Sequence, residues 1–122
     1  MKPRSSKAKG RRLQNYLRDK LRIAFIDKWT KLPKLHEDDI KSQTMGMPGE
    51  DIILSPKARE YIPYSFECKN VEKLQFWATV EQAESNIKEE CIPAIVVKKN
   101  RKSPYIAIPL DHFISLIQGR WK

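Results

Sequence analysis

Residues 49–54 read Gly-Glu-Asp-Ile-Ile-Leu, and residues 63–69 read Pro-Tyr-Ser-Phe-Glu-Cys-Lys. Each is a short, mainly apolar run bounded by turn formers, the pattern of a strand. Side chains alternate between faces along a strand. Glu67 and Lys69 therefore share one side, while Tyr64, Phe66 and Cys68 share the other. If the run that begins at Asp51 lies beside the second strand, Asp51 and Glu67 converge and Lys69 stands next to them.

Those residue types suit one kind of chemistry. Mg²⁺ is a hard cation that takes carboxylate and carbonyl oxygens and keeps several waters. Asp51, Glu67 and the main-chain carbonyl of Cys68 could supply the protein's share of its ligands. A cation held there lowers the pKa of a bound water and neutralises charge developing on a phosphate. Lys69 would orient that water or stabilise the crowded phosphorus centre. Taken alone, Glu-x-Lys is a common same-face pair on an exposed sheet, and Asp51 could simply end a turn. The surroundings favour the chemical reading.

The chain has 122 residues, 40% of them hydrophobic, enough for one domain with one modest core. We expect a flexible basic tail over residues 1–8 and a single domain over residues 9–122. No run approaches the ~20 apolar residues that span a bilayer. The basic N-terminus lacks the apolar stretch of a signal peptide. Cys68 and Cys91 form neither a metal-ligand spacing nor a disulfide framework, so a reducing cytoplasmic setting is expected. The net charge of +9 is concentrated: residues 1–22 carry nine Lys and Arg against Asp19 alone. Such a segment is the footprint of a phosphate-backbone partner, and it lacks the bulky apolar face of a membrane-surface helix.

Leu13, Leu17, Leu21 and Ala24 recur at helical spacing, with Tyr16 and Phe25 beside them, so the spacing predicts a helix over about residues 9–28. Arg11, Arg18 and Arg22 fall away from that stripe, and Gln14 lies at its border. Residues 29–50 hold Pro33, Gly46, Pro48 and Gly49 and read as a loop, with a short helical turn at His36-Glu37-Asp38-Asp39. Ser42 in that loop is a candidate phosphate contact. Ser55-Pro56 begins a turn or a first helical turn.

A second helix is expected over about residues 72–89, with Phe76, Val80, Ala83 and Ile87 as its buried stripe and Trp77 beside it. Its other side, Gln75, Thr79, Gln82 and Asn86, is polar but uncharged. Amides there can contact phosphates or base edges, or line a groove beside a metal site; a polar neighbour is the plainer reading. Ile92–Val97 reads as a central buried strand. Lys98-Lys99-Asn100-Arg101-Lys102 is a basic turn into a strand over residues 104–109, and Asp111 is the expected cap of a last helix. Trp29, Trp77 and Trp121 read as core or interface residues.

These pieces resemble the PD-(D/E)XK nucleases, and among them the small archaeal and phage Holliday junction resolvases. The motifs are Lys9-Gly10 opening the first helix, Gly49-Glu50-Asp51-Ile52-Ile53, Phe66-Glu67-Cys68-Lys69, a helix with Gln82, and the apolar strand Ile92–Val97. The resemblance implies a mixed central sheet flanked by helices, Mg²⁺-dependent hydrolysis with Mn²⁺ as a substitute, and a homodimer. Carried over by position, Asp51 and Glu67 bind metal and Lys69 is the catalytic lysine. Two departures stand out. Pro48 precedes Asp51 by three residues, and Gln14 occupies the place where such resolvases present a glutamate.

The resulting expectation is a DNA endonuclease acting on branched duplex such as four-way junctions. Lys9, Arg11, Arg12 and Arg18, with Lys98, Lys99 and Arg101, would grip phosphates by shape rather than by base sequence, and Ser42, Gln75 and Gln82 would add polar contacts. A less specific nicking, repair or restriction-type nuclease is the nearest alternative. A DNA-binding protein that has kept the fold without cleavage is the alternative from another class.

Overall fold

The structure is a computed structural model that describes residues 3–26, 34–44, 46–47, 49–87 and 90–119. Expectations for Trp29, Pro33, Pro48 and Trp121 lie outside the described residues. Ten elements follow in order: α1 (Pro3–Ile26), a 3-10 turn (Glu37–Asp39), β1 (Ile40–Ser42), β2 (Ile52–Leu54), α2 (Pro56–Arg59), β3 (Tyr64–Asn70), α3 (Phe76–Ser85), β4 (Ile92–Lys98), β5 (Tyr105–Ala107) and α4 (Leu110–Ile117).

Three strands form a mixed sheet in the order β3-β4-β5, with β3 and β4 parallel and β5 antiparallel to β4. β4 is the central strand, as its unbroken apolar run requires. The parallel step from β3 to β4 needs a crossover, which α3 supplies. β1 and β2 make a separate antiparallel pair, with Lys41 opposite Ile53. That pair joins the main sheet at its β3 edge through Asp51, whose N–H donates to the Phe66 carbonyl at 2.9 Å.

The core lies between α1 and the sheet. Leu13 is 2% exposed and packs with Ile40, Ile52, Phe66, Cys68, Ala94 and Val96, while Leu17, Leu21 and Phe25 of the expected stripe close around it. α1 begins earlier than the apolar pattern does. Pro3 suits a first turn, and no residue from Ser5 to Ala8 breaks a helix. Arg22 does not face outward. Its guanidinium donates to the carbonyls of Ile40 and Glu37, at 2.9 and 3.1 Å, and so pins the entrance of β1.

β1 lies inside the stretch expected to be loop, because three residues are too few to show a period. α2 forms where Ser55 caps it, its Oγ accepting the Ala58 N–H at 3.0 Å, with Pro56 in the first turn. α3 is shorter than expected at its start. Before it, the Val71 N–H donates to the Lys98 carbonyl, and Glu72 accepts from Asn100. Asp111 sits inside the first turn of α4, and Pro109 holds the cap position.

The largest difference is the rotation of α3. Phe76 and Trp77 are exposed, Trp77 at 74%, and the buried residues are Thr79 and Ala83. α4 is turned the same way. Leu110, Phe113, Ile114 and Ile117 form one face at helical spacing, and all are exposed; the inward residue is His112, hydrogen-bonded to the Tyr64 hydroxyl at 2.6 Å.

Glu50, next to Asp51, is 3% exposed and forms an ion pair with Arg59, which also donates to Cys91 Sγ at 3.1 Å. Removing one partner of a buried pair strands a charge, which costs about 3 kcal/mol. Arg59→Met should therefore lower unfolding free energy by about that amount in urea titration. Adding Glu50→Gln should recover much of the loss. A double variant no more stable than Arg59→Met would show that Arg59 matters through packing alone.

Candidate active site

Asp51 sits one residue before β2 and is fixed on all sides. Its N–H donates to Phe66, and its carbonyl accepts from the Gln43 N–H at 2.8 Å and from Gln14 Nε2 at 2.7 Å. Its Oδ2 accepts the Cys68 N–H at 2.6 Å. The residues that orient this carboxylate thus come from α1, the β1–β2 connection and β3. The last bond is possible because β3 is the edge of the three-stranded sheet, so the Cys68 amide has no strand partner on that side.

Glu67 and Lys69 alternate with Phe66 and Cys68 along β3, opposite Ile95 and Val97 of β4. Phe66 and Cys68 enter the core, so the other two face α3. Asp51, Glu67, Cys68 and Lys69 line one cavity of ≈200 Å³ together with Gln14 and Gln82. Gly10 of α1 and Thr44, Gly46 and Met47 of the β1–β2 connection complete its wall.

The electrostatics follow from that enclosure. Glu67 is 4% exposed. Burial pushes its carboxyl up to about 7, and the Asp51 charge adds to the rise. A long hydrogen bond from Asn86 Nδ2, at 3.5 Å, and the Lys69 charge oppose it. Asp51 is also raised by burial, with the Cys68 N–H and Lys69 pulling it down. Burial and the two carboxylates together raise the Cys68 thiol, so it stays protonated and inert. Two carboxyls raised by burial, Glu67 further by the Asp51 charge, face a shared space with one lysine beside them. That is a donor set a divalent cation relieves.

Among the described residues no cluster of three or more His, Cys, Asp and Glu side chains is placed to hold a metal. The side-chain donors are two carboxylates, and hard oxygen donors in that number fit a cation that keeps most of its waters. Asp51 and Glu67, with the Cys68 main-chain carbonyl, are the groups lining this cavity that could hold a divalent cation.

The remaining candidates scatter. Gln82 reaches the cavity wall, whereas Gln75 is an exposed residue at the start of α3. The Ser42 hydroxyl donates to Asn15 Oδ1 at 2.8 Å. Arg11 and Arg12 are exposed on α1, and Arg18 is tied to Asp19 and Asn15. Lys99 and Arg101 are exposed on the β4–β5 turn, and Arg101 has a φ of 65°. Lys9, expected to grip phosphates with the other cations of α1, is instead buried, at 6% exposed. Sequence reasoning did not single out Thr44 or Met47. Asn86 was marked by its place in the uncharged stripe of α3.

A family model described as "Phage putative PDDEXK endonuclease" matches residues 5–120, and the chain belongs to that family. The mixed sheet flanked by helices agrees with it. Nucleases of this kind generally use divalent metal ions and act on DNA. No curated protein and no solved structure matches the chain. No helix among the described residues is long and apolar enough to cross a membrane.

The raised Glu67 carboxyl has a measurable consequence in the metal-free protein. Folding favours the protonated form, so its contribution is complete below the ordinary value of 4.5 and is lost as pH rises through about 7. With a chelator present, the melting temperature should fall between pH 5 and 7.5, and Glu67→Gln should flatten that fall. Parallel profiles for the two proteins would show that Glu67 titrates as an ordinary carboxylate.

Proposed function

We propose that this chain is a Mg²⁺-dependent, structure-selective DNA endonuclease that cuts phosphodiester bonds at four-way junctions. The reading also has it work as a homodimer in the cytoplasm of a phage-infected cell. What carries the reading is the convergence of Asp51, Glu67 and Lys69 on one small polar cavity, in a chain of the PDDEXK endonuclease family.

Asp51 and Glu67 hold the cation, Mg²⁺ or Mn²⁺, and the Cys68 carbonyl completes the protein's share. The bound ion supplies Lewis acidity at the phosphate and makes water more acidic. Asp51 is held by backbone bonds from both its neighbours in space, so its free oxygen keeps one direction. Lys69 places a positive charge beside the scissile phosphate, where it orients the attacking water or offsets the developing charge. Gln14 fixes the Asp51 carbonyl, and Gln82 borders the strand. Arg11, Arg12 and Arg18 of α1, with Lys99 and Arg101 of the basic turn, grip phosphates without reading bases.

Support for the dimer comes from the outward apolar faces of α3 and α4. Phe76, Trp77, Leu110, Phe113, Ile114 and Ile117 are all exposed, and Leu110 lines a cavity of ≈300 Å³ with Phe76 and Trp77, so the two faces meet. Their open area is on the order of 600 Å², taking about 200 Å² for each full side chain. A standard interface takes about 800 Å² from each partner. The face is almost uncharged, which suits self-association of a chain whose net charge is +9. A two-fold assembly also sets two catalytic cavities for paired cuts.

Asp51→Asn or Glu67→Gln should reduce cleavage at least 100-fold while DNA binding persists. In the wild type, Mg²⁺ should raise the melting temperature more than in either variant. A panel of four-way junction, flap, fork, linear duplex and single strand decides the substrate: paired symmetric cuts confined to the junction are expected, and equal cutting of linear duplex would refute the junction reading. Binding without cleavage on every substrate would refute the enzyme.

Phe113→Asp with Ile117→Asp should convert a dimer to a monomer in sedimentation velocity. A monomeric wild type would refute the dimer. A dimer that survives both changes would move its interface elsewhere.

A further inference from the structure

A second polar cavity, ≈320 Å³, lies against α1 and the ends of β3 and β4, walled by Lys9, Arg12, Asn70, Lys98 and Asn100 among others. Lys9 is its unusual member. Its side chain is 7% exposed, yet Nζ makes no hydrogen bond among the described residues. Its counter-charge is Glu72 Oε2 at 3.7 Å, beyond hydrogen-bond reach. The same Glu72 oxygen accepts the Asn100 N–H at 2.6 Å. Asn70 donates to the Lys9 carbonyl at 3.1 Å and holds that turn of α1 in place.

So a buried ammonium and a backbone N–H converge on one anionic oxygen, with Arg12 and Lys98 alongside. We propose that Lys9 Nζ and the Asn100 N–H, both on the wall of this cavity, form a binding slot for a backbone phosphate of DNA; Glu72 Oε2 engages both in the free protein and yields them when a phosphodiester oxygen arrives. The proposal rests on the reading that the chain acts on DNA, and it adds a site and an internal competitor to that reading.

The two occupants offer the same chemistry, an anionic oxygen that accepts an N–H and lies near an ammonium. They differ in how easily they leave. The Glu72 side chain is 47% exposed and can swing into water. Lys9 cannot follow it, because its stem is enclosed. When Glu72 leaves, Lys9 would be a buried charge without a partner, a costly state that an incoming phosphate removes. Chain position places the slot beside the catalytic cavity. Lys9 precedes Gly10, and Asn70 follows Lys69, and both Gly10 and Lys69 line that cavity. A competing carboxylate weakens binding to isolated phosphates and favours substrates that engage several sites together.

A plain structural ion pair would look similar at rest, so the test uses binding, with cleavage silenced by chelator. Affinity for a fluorescent four-way junction would be measured against salt for wild type, Glu72→Gln, Lys9→Gln, the double variant, and Glu60→Gln as a control for net charge. Glu72→Gln should bind several-fold tighter than both wild type and Glu60→Gln. Lys9→Gln should lower the slope of log K against log salt by about one. The double variant should lose the gain of Glu72→Gln. If Lys9→Gln melts early, Lys98→Gln in the Glu72→Gln background serves the same purpose and should reduce the gain. Equal affinities for Glu72→Gln and Glu60→Gln, or a gain that survives removal of Lys9, would overturn the slot while leaving DNA binding intact. A wild type with no affinity for DNA would instead overturn the reading beneath it.

Discussion

The bond from the Cys68 amide to the Asp51 carboxylate is the contact around which the site is organised. It replaces a strand-to-strand hydrogen bond with a side-chain one at the open edge of β3. Asp51 then serves as the splice between two sheets: its N–H holds the Phe66 carbonyl, and its own carbonyl collects Gln43 and Gln14. Each of these bonds satisfies a group that would otherwise be buried and costly. Together they fix the carboxylate relative to Glu67 without any contact between the two acids. The β1–β2 pair is small and could not hold an active-site residue by packing alone. Its anchorage comes from Ile40 and Ile52, both fully buried, and from Arg22, which reaches across from α1.

A site with two acids in a small enclosure needs a polar lining, and α3 provides it at a cost elsewhere. Gln82 lines the cavity and Asn86, at the end of α3, reaches Glu67, so that carboxyl meets an amide rather than a hydrocarbon wall. The same rotation sends Phe76 and Trp77 outward. α4 repeats the arrangement, burying His112 beside Tyr64 and exposing five large apolar residues. Exposed apolar faces of that size on adjacent elements ordinarily mark an association surface. The polar side of α3 thereby links site and surface: lining the cavity with amides displaces the apolar residues to where another molecule could cover them.

The strand that carries Glu67 and Lys69 was legible because period-two alternation within β3 has one register that buries Phe66 and Cys68. The central position of β4 was legible from its unbroken apolar run, and the stripe of α1 from four residues at helical spacing. The orientation of α3 was not, because the reading equates an apolar stripe with the inside. That equation fails where the interior neighbour is a polar cavity. β1 was hidden by its length, and the Glu50–Arg59 pair by its span, since nothing local marks two charges nine residues apart as buried partners. Lys9 misled for a related reason: in a run of cations, only tertiary packing distinguishes the one whose stem is enclosed.

Gln14 shows how one atom type can alter the charge balance of such a site. The resemblance to small resolvases implied a glutamate at that place. The geometry supplies a positive reason for an amide. Gln14 Nε2 donates to the Asp51 carbonyl at 2.7 Å, and an ionised glutamate has no hydrogen to donate. A carboxylate at that position would face a carbonyl oxygen with like partial charge and would stand beside two acids already raised by burial. The amide secures the Asp51 backbone and adds no third negative charge. The fixed position of Asp51 and the modest charge of the cavity are therefore two results of the same side chain.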